Sequence, residues 1–122
     1  MAKTVMIVDD SASLRQVVGI ALRGAGYEVI EGCDGKDALA KLTGQKVHLV
    51  ISDVNMPNMD GITFVKSLKQ IATYKFTPVI MLTTESQEGK KQEGQAAGAK
   101  AWVVKPFQPA QMLAAVAKLV MP

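Results

Sequence analysis

The chain has little of what a secreted or membrane-spanning protein needs. Its 122 residues contain one cysteine, Cys33, so no disulfide can form within it. No apolar run approaches the length of a membrane span or of a signal-peptide core. These absences are typical of a protein in a reducing compartment, and we expect a cytoplasmic location and no membrane partner.

Concentrated positive charge is also absent. The formal net charge is +3, but the basic residues are spread along the chain and no run of them exceeds two. This pattern indicates solvated helix faces rather than a nucleic-acid-binding surface, so we expect no nucleic-acid partner. The segment 9–13 reads Asp-Asp-Ser-Ala-Ser and is not rich in glycine, which disfavours a nucleotide-binding module.

What the chain does have is a regular alternation of apolar runs and helical patterns. Strands are predicted at residues 5–8, 27–31, 47–52, 79–82 and 102–104. Helices are predicted from the apolar spacing between them, at residues 14–25, 34–42, 64–71, 87–97 and 109–120. The helix at 87–97 carries two glycines and few large apolar residues, whereas the helix at 109–120 is apolar around most of its circumference.

This alternation predicts an α/β fold with helices on both faces of a parallel sheet. Five strands favour the flavodoxin-like (βα)5 three-layer sandwich with strand order 2-1-3-4-5. We expect residues 1–122 to form a single domain without an output domain. In such folds ligands bind outside the carboxyl ends of the strands, so those ends indicate where a site would lie.

Polar side chains stand at four of the five predicted strand ends. Asp9 and Asp10 follow strand 1, Asp53 follows strand 3, Thr83 follows strand 4 and Lys105 follows strand 5. Three crowded carboxylates repel one another, and a hard divalent cation relieves that repulsion. Magnesium fits best because proteins usually hold it with one or two carboxylates, waters and a phosphate.

A carboxylate in such a site can act as a nucleophile and form an acyl phosphate. Phosphoryl transfer mainly requires positioning and neutralisation of charge, which magnesium, an ammonium and a hydroxyl would supply. A single aspartate after a strand is usually a turn former or a helix cap, and Asp10 could partly be one. The convergence of five suitable groups on one edge favours the phosphoryl-transfer interpretation.

Four sequence blocks match a known family. They are Val8-Asp9-Asp10, the segment 52–61 (Ser-Asp-Val-Asn-Met-Pro-Asn-Met-Asp-Gly), Met81-Leu82-Thr83-Thr84, and the segment 103–107 (Val-Val-Lys-Pro-Phe). With these blocks in order, the chain resembles bacterial two-component response-regulator receiver domains over its full length. Among them it is most similar to the stand-alone chemotaxis response regulators.

The resemblance implies a role for each site residue. Asp53 is implied as the phosphate acceptor. Asp10 and Asp53 would bind Mg²⁺ through their carboxylates, Asn55 through its backbone carbonyl and Asp9 through a metal-bound water. Mn²⁺ is implied as a possible substitute for Mg²⁺.

The resemblance also implies a switch. Lys105 would pair with the phosphoryl group, and the hydroxyl of Thr83 would move toward it. In the family an aromatic residue on strand 5, more often Tyr or Phe, then turns inward. Trp102 occupies that position here, so the chain departs from the pattern at this residue.

The implied activity is that of a phosphorylation-controlled signalling switch rather than an enzyme acting on separate substrates. A histidine kinase would donate the phosphoryl group. An output protein, possibly the flagellar motor switch, would bind the helix 4–strand 5–helix 5 face, which comprises residues 87–97, 102–104 and 109–120. The alternatives are a phosphorelay intermediate or phosphate sink and, from the enzyme class, a magnesium-dependent phosphatase. The phosphatase would usually need a substrate-covering cap for which this chain has no length.

Overall fold

The structure, a computed structural model, describes residues 3–42, 44–54, 56, 58–84, 93, 95–105 and 108–120; of residue 84 only the backbone is described. Five parallel strands form one sheet in the order β2-β1-β3-β4-β5, which confirms the predicted flavodoxin-like α/β fold. The strands are β1 (Thr4–Val8), β2 (Glu28–Gly32), β3 (Leu49–Asp53), β4 (Val79–Thr84) and β5 (Ala101–Lys105). None of the described helices is long and apolar enough to cross a membrane.

Four α-helices are described beside the sheet: α1 (Ala12–Gly24), α2 (Gly35–Leu42), α3 (Gly61–Lys69) and α4 (Pro109–Leu119). A short 3-10 helix, Ala72–Tyr74, precedes β4. Their beginnings follow local chemistry, because the side chains of Ser11 and Asp60 accept backbone N–H groups in the first turns of α1 and α3. The predicted helix at 87–97 lies largely outside the described residues.

The central strands β1, β3 and β4 are buried on both faces, as their apolar sequences predict. One core cluster contains Met6, Val50 and Met81 and is completed by residues of α2 and α3. The other contains Ile7, Ile51 and Leu82 and is completed by residues of α1 and α4. Alternate residues of each strand therefore enter opposite clusters, and the sheet is held rigidly between two helical layers.

Two local predictions are wrong. Strand β3 begins at Leu49 rather than at residue 47. His48 precedes it and contacts Thr4 of β1 in two ways: its N–H donates to the Thr4 carbonyl, and its imidazole Nδ1 accepts the Thr4 N–H. Ile71, expected on the apolar stripe of the third helix, lies beyond the end of α3 and is 37% exposed. The helical spacing continued past the point where the chain turns.

The apolar excess of the C-terminal helix α4 is mostly packed against the core. Met112 and Val116 are buried, and four further apolar residues of residues 113–120 pack against the same cluster: Leu113, Ala115, Leu119 and Val120. The exposed apolar residues of this helix are alanines. The described part of α4 thus gives no large exposed apolar surface of its own.

Candidate functional site

The parallel register brings the acidic residues together. Val8 of β1 pairs with Ser52 of β3, so Asp9 and Asp53 are the next residues along neighbouring strands. One carboxylate oxygen from each of Asp9, Asp10 and Asp53 lies within 4.8 Å of the others. Asp9 and Asp53 are 1% and 6% exposed, whereas Asp10 is exposed. The site thus combines two buried acids with one that faces solvent.

Three hydrogen bonds fix Asp9, two through its backbone and one through its carboxylate. Its N–H donates to the carbonyl of Gly32 at 3.1 Å, and its carbonyl accepts from the guanidinium of Arg15. Its own carboxylate oxygen Oδ1 accepts the N–H of Ser11 at 2.9 Å. One carboxylate oxygen is thereby committed to the turn that begins α1, and the other faces the site.

Asp53 is held by its immediate neighbours. Its Oδ1 accepts the N–H of Val54 at 2.9 Å, and its carbonyl accepts the hydroxyl of Ser52 at 3.0 Å. The loop that follows returns so closely that a Cβ at Gly61 would lie 1.9 Å from the Asp53 carbonyl oxygen. Only glycine fits there, which explains the glycine that ends the Asn-Met-Pro-Asn-Met-Asp-Gly segment.

Lys105 joins the two buried acids. Its Nζ lies 3.1 Å from Oδ2 of Asp9 and 3.2 Å from Oδ1 of Asp53. It belongs to β5, two strands away from Asp53, and β4 separates them in the sheet. The long lysine side chain therefore reaches over the carboxyl ends of the strands to carry positive charge into the site.

The charges perturb one another as their geometry requires. Burial raises the pKa of Asp53, the nearby charge of Asp9 raises it further, and the Lys105 ammonium opposes both. Burial would lower the pKa of Lys105, but the negative charges of Asp53 and Asp9 outweigh it and raise that pKa. The site therefore has more negative charge than its lysine neutralises.

This donor set suits a hard divalent cation. Oxygen ligands and an uncompensated negative charge are what Mg²⁺ prefers, and its remaining positions are usually filled by water and phosphate. The exposed side of Asp10 leaves the cluster open to both. Asn55, expected to contribute its backbone carbonyl, lies outside the described residues, as do Pro106 and Phe107 of the block that contains Lys105.

The two switch candidates lie on adjoining strands. Asp53 pairs with Leu82 of β4, so the next residue, Thr83, stands beside the loop after Asp53; it is 5% exposed. Trp102 pairs with Met81 and packs against the core cluster on the α2 and α3 face. Its indole N–H is buried and has no acceptor among the described residues. The tryptophan ring is thus partly buried against this cluster, with its N–H on the buried side.

Several supporting residues have no clear signal in the sequence. The Arg15 contact to the Asp9 carbonyl depends on the way α1 crosses the sheet, and the Asn58 side chain bonds to Asp34 across two loops. Asn58 has a φ of 66°, a left-handed conformation that asparagine adopts more readily than most residues. An asparagine between turn residues is a hint of such a conformation, but it does not name the partner.

Comparison with known proteins gives a consistent picture. The family described as the response regulator receiver domain matches residues 5–117. The solved structure of the chemotaxis response regulator CheY4 of Vibrio cholerae superposes with a TM-score of 0.92 and is 49% identical, over 98% of this chain and 99% of that chain.

Two curated proteins of Pseudomonas aeruginosa are also similar. Protein PilG is 34% identical over 92% of this chain and 83% of its own length. The phosphate regulon transcriptional regulatory protein PhoB is 35% identical over 93% of this chain but 50% of its own length. The chain thus spans about half the length of PhoB. From its matched residues, its fold and these relatives, the chain belongs to the response regulator receiver domain family.

Proposed function

We propose that this receiver domain accepts a phosphoryl group from a histidine kinase on Asp53 and thereby changes which protein it binds. The observation that supports the assignment most strongly is the position of Asp53. It is one of two buried acids that contact Lys105, and of these two it is the one that pairs with β4 beside Thr83. Asp10 is exposed, and Asp9 uses one oxygen to hold the turn into α1.

The proposed step is an in-line displacement at phosphorus. A carboxylate oxygen of Asp53 forms a bond to phosphorus while the bond from phosphorus to the donor's leaving atom breaks, and that atom keeps the electron pair. The product is an acyl phosphate on Asp53. Bound Mg²⁺, held by Asp10 and Asp53 with Asp9 acting through water, would neutralise charge on the phosphoryl oxygens.

Lys105 and Thr83 complete the phosphoryl environment in this proposal. Before phosphorylation the Lys105 ammonium is divided between two carboxylates. After transfer it would form a charge-assisted hydrogen bond with a phosphoryl oxygen. The Thr83 hydroxyl would donate to another oxygen, and because Thr83 is in β4 its movement would reach β5 and the segment after residue 84.

For the output we propose a cytoplasmic chemotaxis role, with the flagellar motor switch as the partner. The resemblance to CheY4, a chemotaxis response regulator, supports this choice over nearly the whole of both chains. The output protein would bind at the helix 4–strand 5–helix 5 face defined above. Of that face, the structure describes β5 and the C-terminal helix, which is α4 (Pro109–Leu119).

One observation favours a second candidate, a phosphorelay intermediate or phosphate sink. The ring of Trp102 packs against the core cluster of the α2 and α3 face, and its N–H is buried. If packing holds the large indole ring there, Trp102 would not signal phosphorylation by turning inward. Phosphorylation would then occur without the usual change at this face.

The test uses acetyl phosphate as donor, with Mg²⁺, and follows intact mass and Trp102 fluorescence. We expect a mass increase of one phosphoryl group that requires Mg²⁺ and is lost in Asp53→Asn. The matched variant Ser52→Ala should keep it, because the Ser52 hydroxyl binds the Asp53 carbonyl and not its carboxylate. No mass gain in the wild type with Mg²⁺ would refute the proposal.

The output is tested with the purified cytoplasmic part of a flagellar motor switch protein. Binding that increases at least tenfold on phosphorylation would support the chemotaxis role. Phosphorylation without a change in Trp102 fluorescence or in motor binding, together with transfer of the phosphoryl group to a histidine phosphotransfer protein, would support the relay candidate instead.

A further inference from the structure

The turn between β2 and α2 contacts both acidic segments of the site. On one side the carbonyl of Gly32 accepts the N–H of Asp9 at 3.1 Å. On the other side Asp34 accepts a hydrogen bond from Asn58 Nδ2 at 2.8 Å. Asn58 is in the loop between Asp53 and α3, the loop that also contains Asn55. The turn is therefore a physical bridge between Asp9 and the loop after Asp53.

Asp34 is well placed to hold that loop. It is 8% exposed, and its two carboxylate oxygens have separate partners: Oδ1 accepts the N–H of Asp37 at 2.8 Å, and Oδ2 accepts from Asn58. The first bond fixes the carboxylate at the beginning of α2. The second then places Asn58 relative to a rigid helix rather than to a mobile side chain.

Packing reinforces the hydrogen bond. Met59, the next residue of the loop, lies directly over Gly35, so that a Cβ added at Gly35 would be 2.8 Å from the Met59 side chain. The ends of the loop are closed by the Gly61 N–H, which donates to the Val54 carbonyl at 2.8 Å. Between these closed ends, Asn58 and Met59 are where the described part of the loop meets the β2–α2 turn.

We propose that the Asp34–Asn58 hydrogen bond positions the loop after Asp53 against Asp9 and thereby sets how tightly the site binds a divalent cation. The inference rests on the proposed magnesium-assisted phosphorylation of Asp53. Asp34 and Asn58 are positioning residues, because neither is one of the acids that converge on the site. Partners that orient metal ligands from outside typically change metal affinity by about 10- to 100-fold when they are removed.

The first variant is Asn58→Gly. Glycine tolerates the φ of 66° and leaves the net charge unchanged, but it cannot donate to Asp34. We expect the Mg²⁺ dissociation constant, measured by isothermal titration calorimetry, to rise about tenfold. The thermal unfolding midpoint, measured without metal, should stay close to that of the wild type, since the bond is one of many that hold this region.

A pair of exchanged residues separates the hydrogen bond from loop flexibility. Asn58→Asp places two carboxylates against each other, and although added negative charge by itself attracts a cation, we expect weaker Mg²⁺ binding. Adding Asp34→Asn restores an amide–carboxylate pair in the reverse direction, with the original net charge. The amide oxygen at position 34 can still accept the Asp37 N–H, since asparagine caps helices as well as aspartate. The double variant should regain Mg²⁺ affinity to within about threefold of the wild type.

Asp37→Asn is the matched control. Asp37 is in the same turn region and carries the same charge, but its carboxylate accepts the Cys33 N–H and pairs with Lys41 instead of the loop. Its Mg²⁺ affinity should stay within about twofold of the wild type, because removing one charge outside the site has a small, screened effect.

The outcomes are distinguishable. Wild-type affinity in Asn58→Gly, or a double variant no better than Asn58→Asp, would overturn this inference and leave the proposed function intact. A wild-type protein that binds no Mg²⁺ and gains no phosphoryl group would overturn both. Weakened binding in Asn58→Gly and recovery in the exchanged pair would establish the positioning role.

Discussion

The two ends of the sheet differ in how their buried polar groups are paired. At the amino end, two described contacts pair neutral groups: Thr4 N–H donates to His48 Nδ1, and the single proton of the Tyr74 hydroxyl is shared between the carbonyls of Leu42 and Gln45. A third contact, from the Lys69 ammonium to the Thr77 carbonyl, involves one charge and no crowding of like charges. At the carboxyl end, two buried carboxylates share one lysine.

This difference indicates that the carboxyl end is the less stable of the two. A neutral hydrogen bond at the amino end stabilises the fold without requiring anything further. The excess negative charge at the carboxyl end opposes folding until a bound cation neutralises it. Removing a buried carboxylate at the carboxyl end should therefore have the opposite sign from removing a hydrogen-bonding group at the amino end.

The largest expected effect is that of Gly61→Ala at the carboxyl end. A Cβ there would lie 1.9 Å from the Asp53 carbonyl oxygen, so the backbone must move. We expect a loss of about 3 kcal/mol in the free energy of unfolding, measured by urea denaturation, together with weaker Mg²⁺ binding. Gly24→Ala is the control, since nothing lies within 4 Å of a Cβ at that position; equal effects of the two variants would contradict the close-approach argument.

Lys105→Met comes next. It leaves Asp9 and Asp53 buried without their cation, and because Lys105 is partly exposed we expect a cost of about 2 kcal/mol in the absence of metal. The pKa of Lys105 is raised in the folded state, so its stabilisation is complete below 10.5 and is lost as the pH rises through the folded pKa. The difference between wild type and variant in urea denaturation should shrink at that alkaline limit, and a difference independent of pH would argue against the ion pairs.

Tyr74→Phe probes the satisfied amino end. The hydroxyl serves two backbone carbonyls, of Leu42 and Gln45, and Tyr74 is 5% exposed. Its removal leaves those carbonyls without this donor and should cost about 1.5 kcal/mol, with no change in Mg²⁺ affinity. A neutral result in thermal unfolding would show that water replaces the hydroxyl.

Asp53→Asn should have the opposite sign. Burial, and then repulsion by Asp9, raises the pKa of Asp53, so at neutral pH its charge opposes folding. In EDTA we expect the variant to be about 1 kcal/mol more stable than the wild type. Since the folded-state pKa lies above 3.8, the gain should disappear as the pH falls through it and the wild-type carboxyl becomes protonated. Asp10→Asn, at an exposed residue, should give a smaller gain.

The smallest expected effect is that of Trp102→Phe. The phenyl ring fills less of the core, but the substitution removes a buried N–H that has no acceptor among the described residues. The two terms oppose each other, and we expect a net change below about 0.5 kcal/mol. A loss as large as that of Tyr74→Phe in parallel urea denaturation would mean that the indole N–H is satisfied.

The sequence predicted the fold and the site because both depend on simple repeats. Apolar runs alternating with helical spacing fix the parallel sheet, and parallel strands bring their carboxyl ends to one edge. Asp9, Asp53 and Lys105 could therefore be placed together from their positions after strands, before any distance was known. The structure brings these three into direct contact and leaves Asp10 at the exposed side of the cluster.

What could not be predicted depends on how loops cross in space. The Asp34–Asn58 bond joins residues 24 apart, and neither pattern nor spacing names such a pair. Ile71 continued a helical stripe although the chain had already turned. The packing of Trp102 against the core cluster depends on which residues lie over β5 in space, which a strand pattern does not contain.

Reduction of the phosphorylated protein with borohydride tests the central claim most directly. Borohydride converts an aspartyl phosphate to homoserine, and peptide mass spectrometry then identifies the modified position. After treatment with acetyl phosphate and Mg²⁺, we predict homoserine at position 53, in the proteolytic fragment between Lys46 and Lys66. Homoserine at position 9 or 10, or no homoserine in a protein that has gained a phosphoryl group, would contradict the assignment of Asp53 as the acceptor.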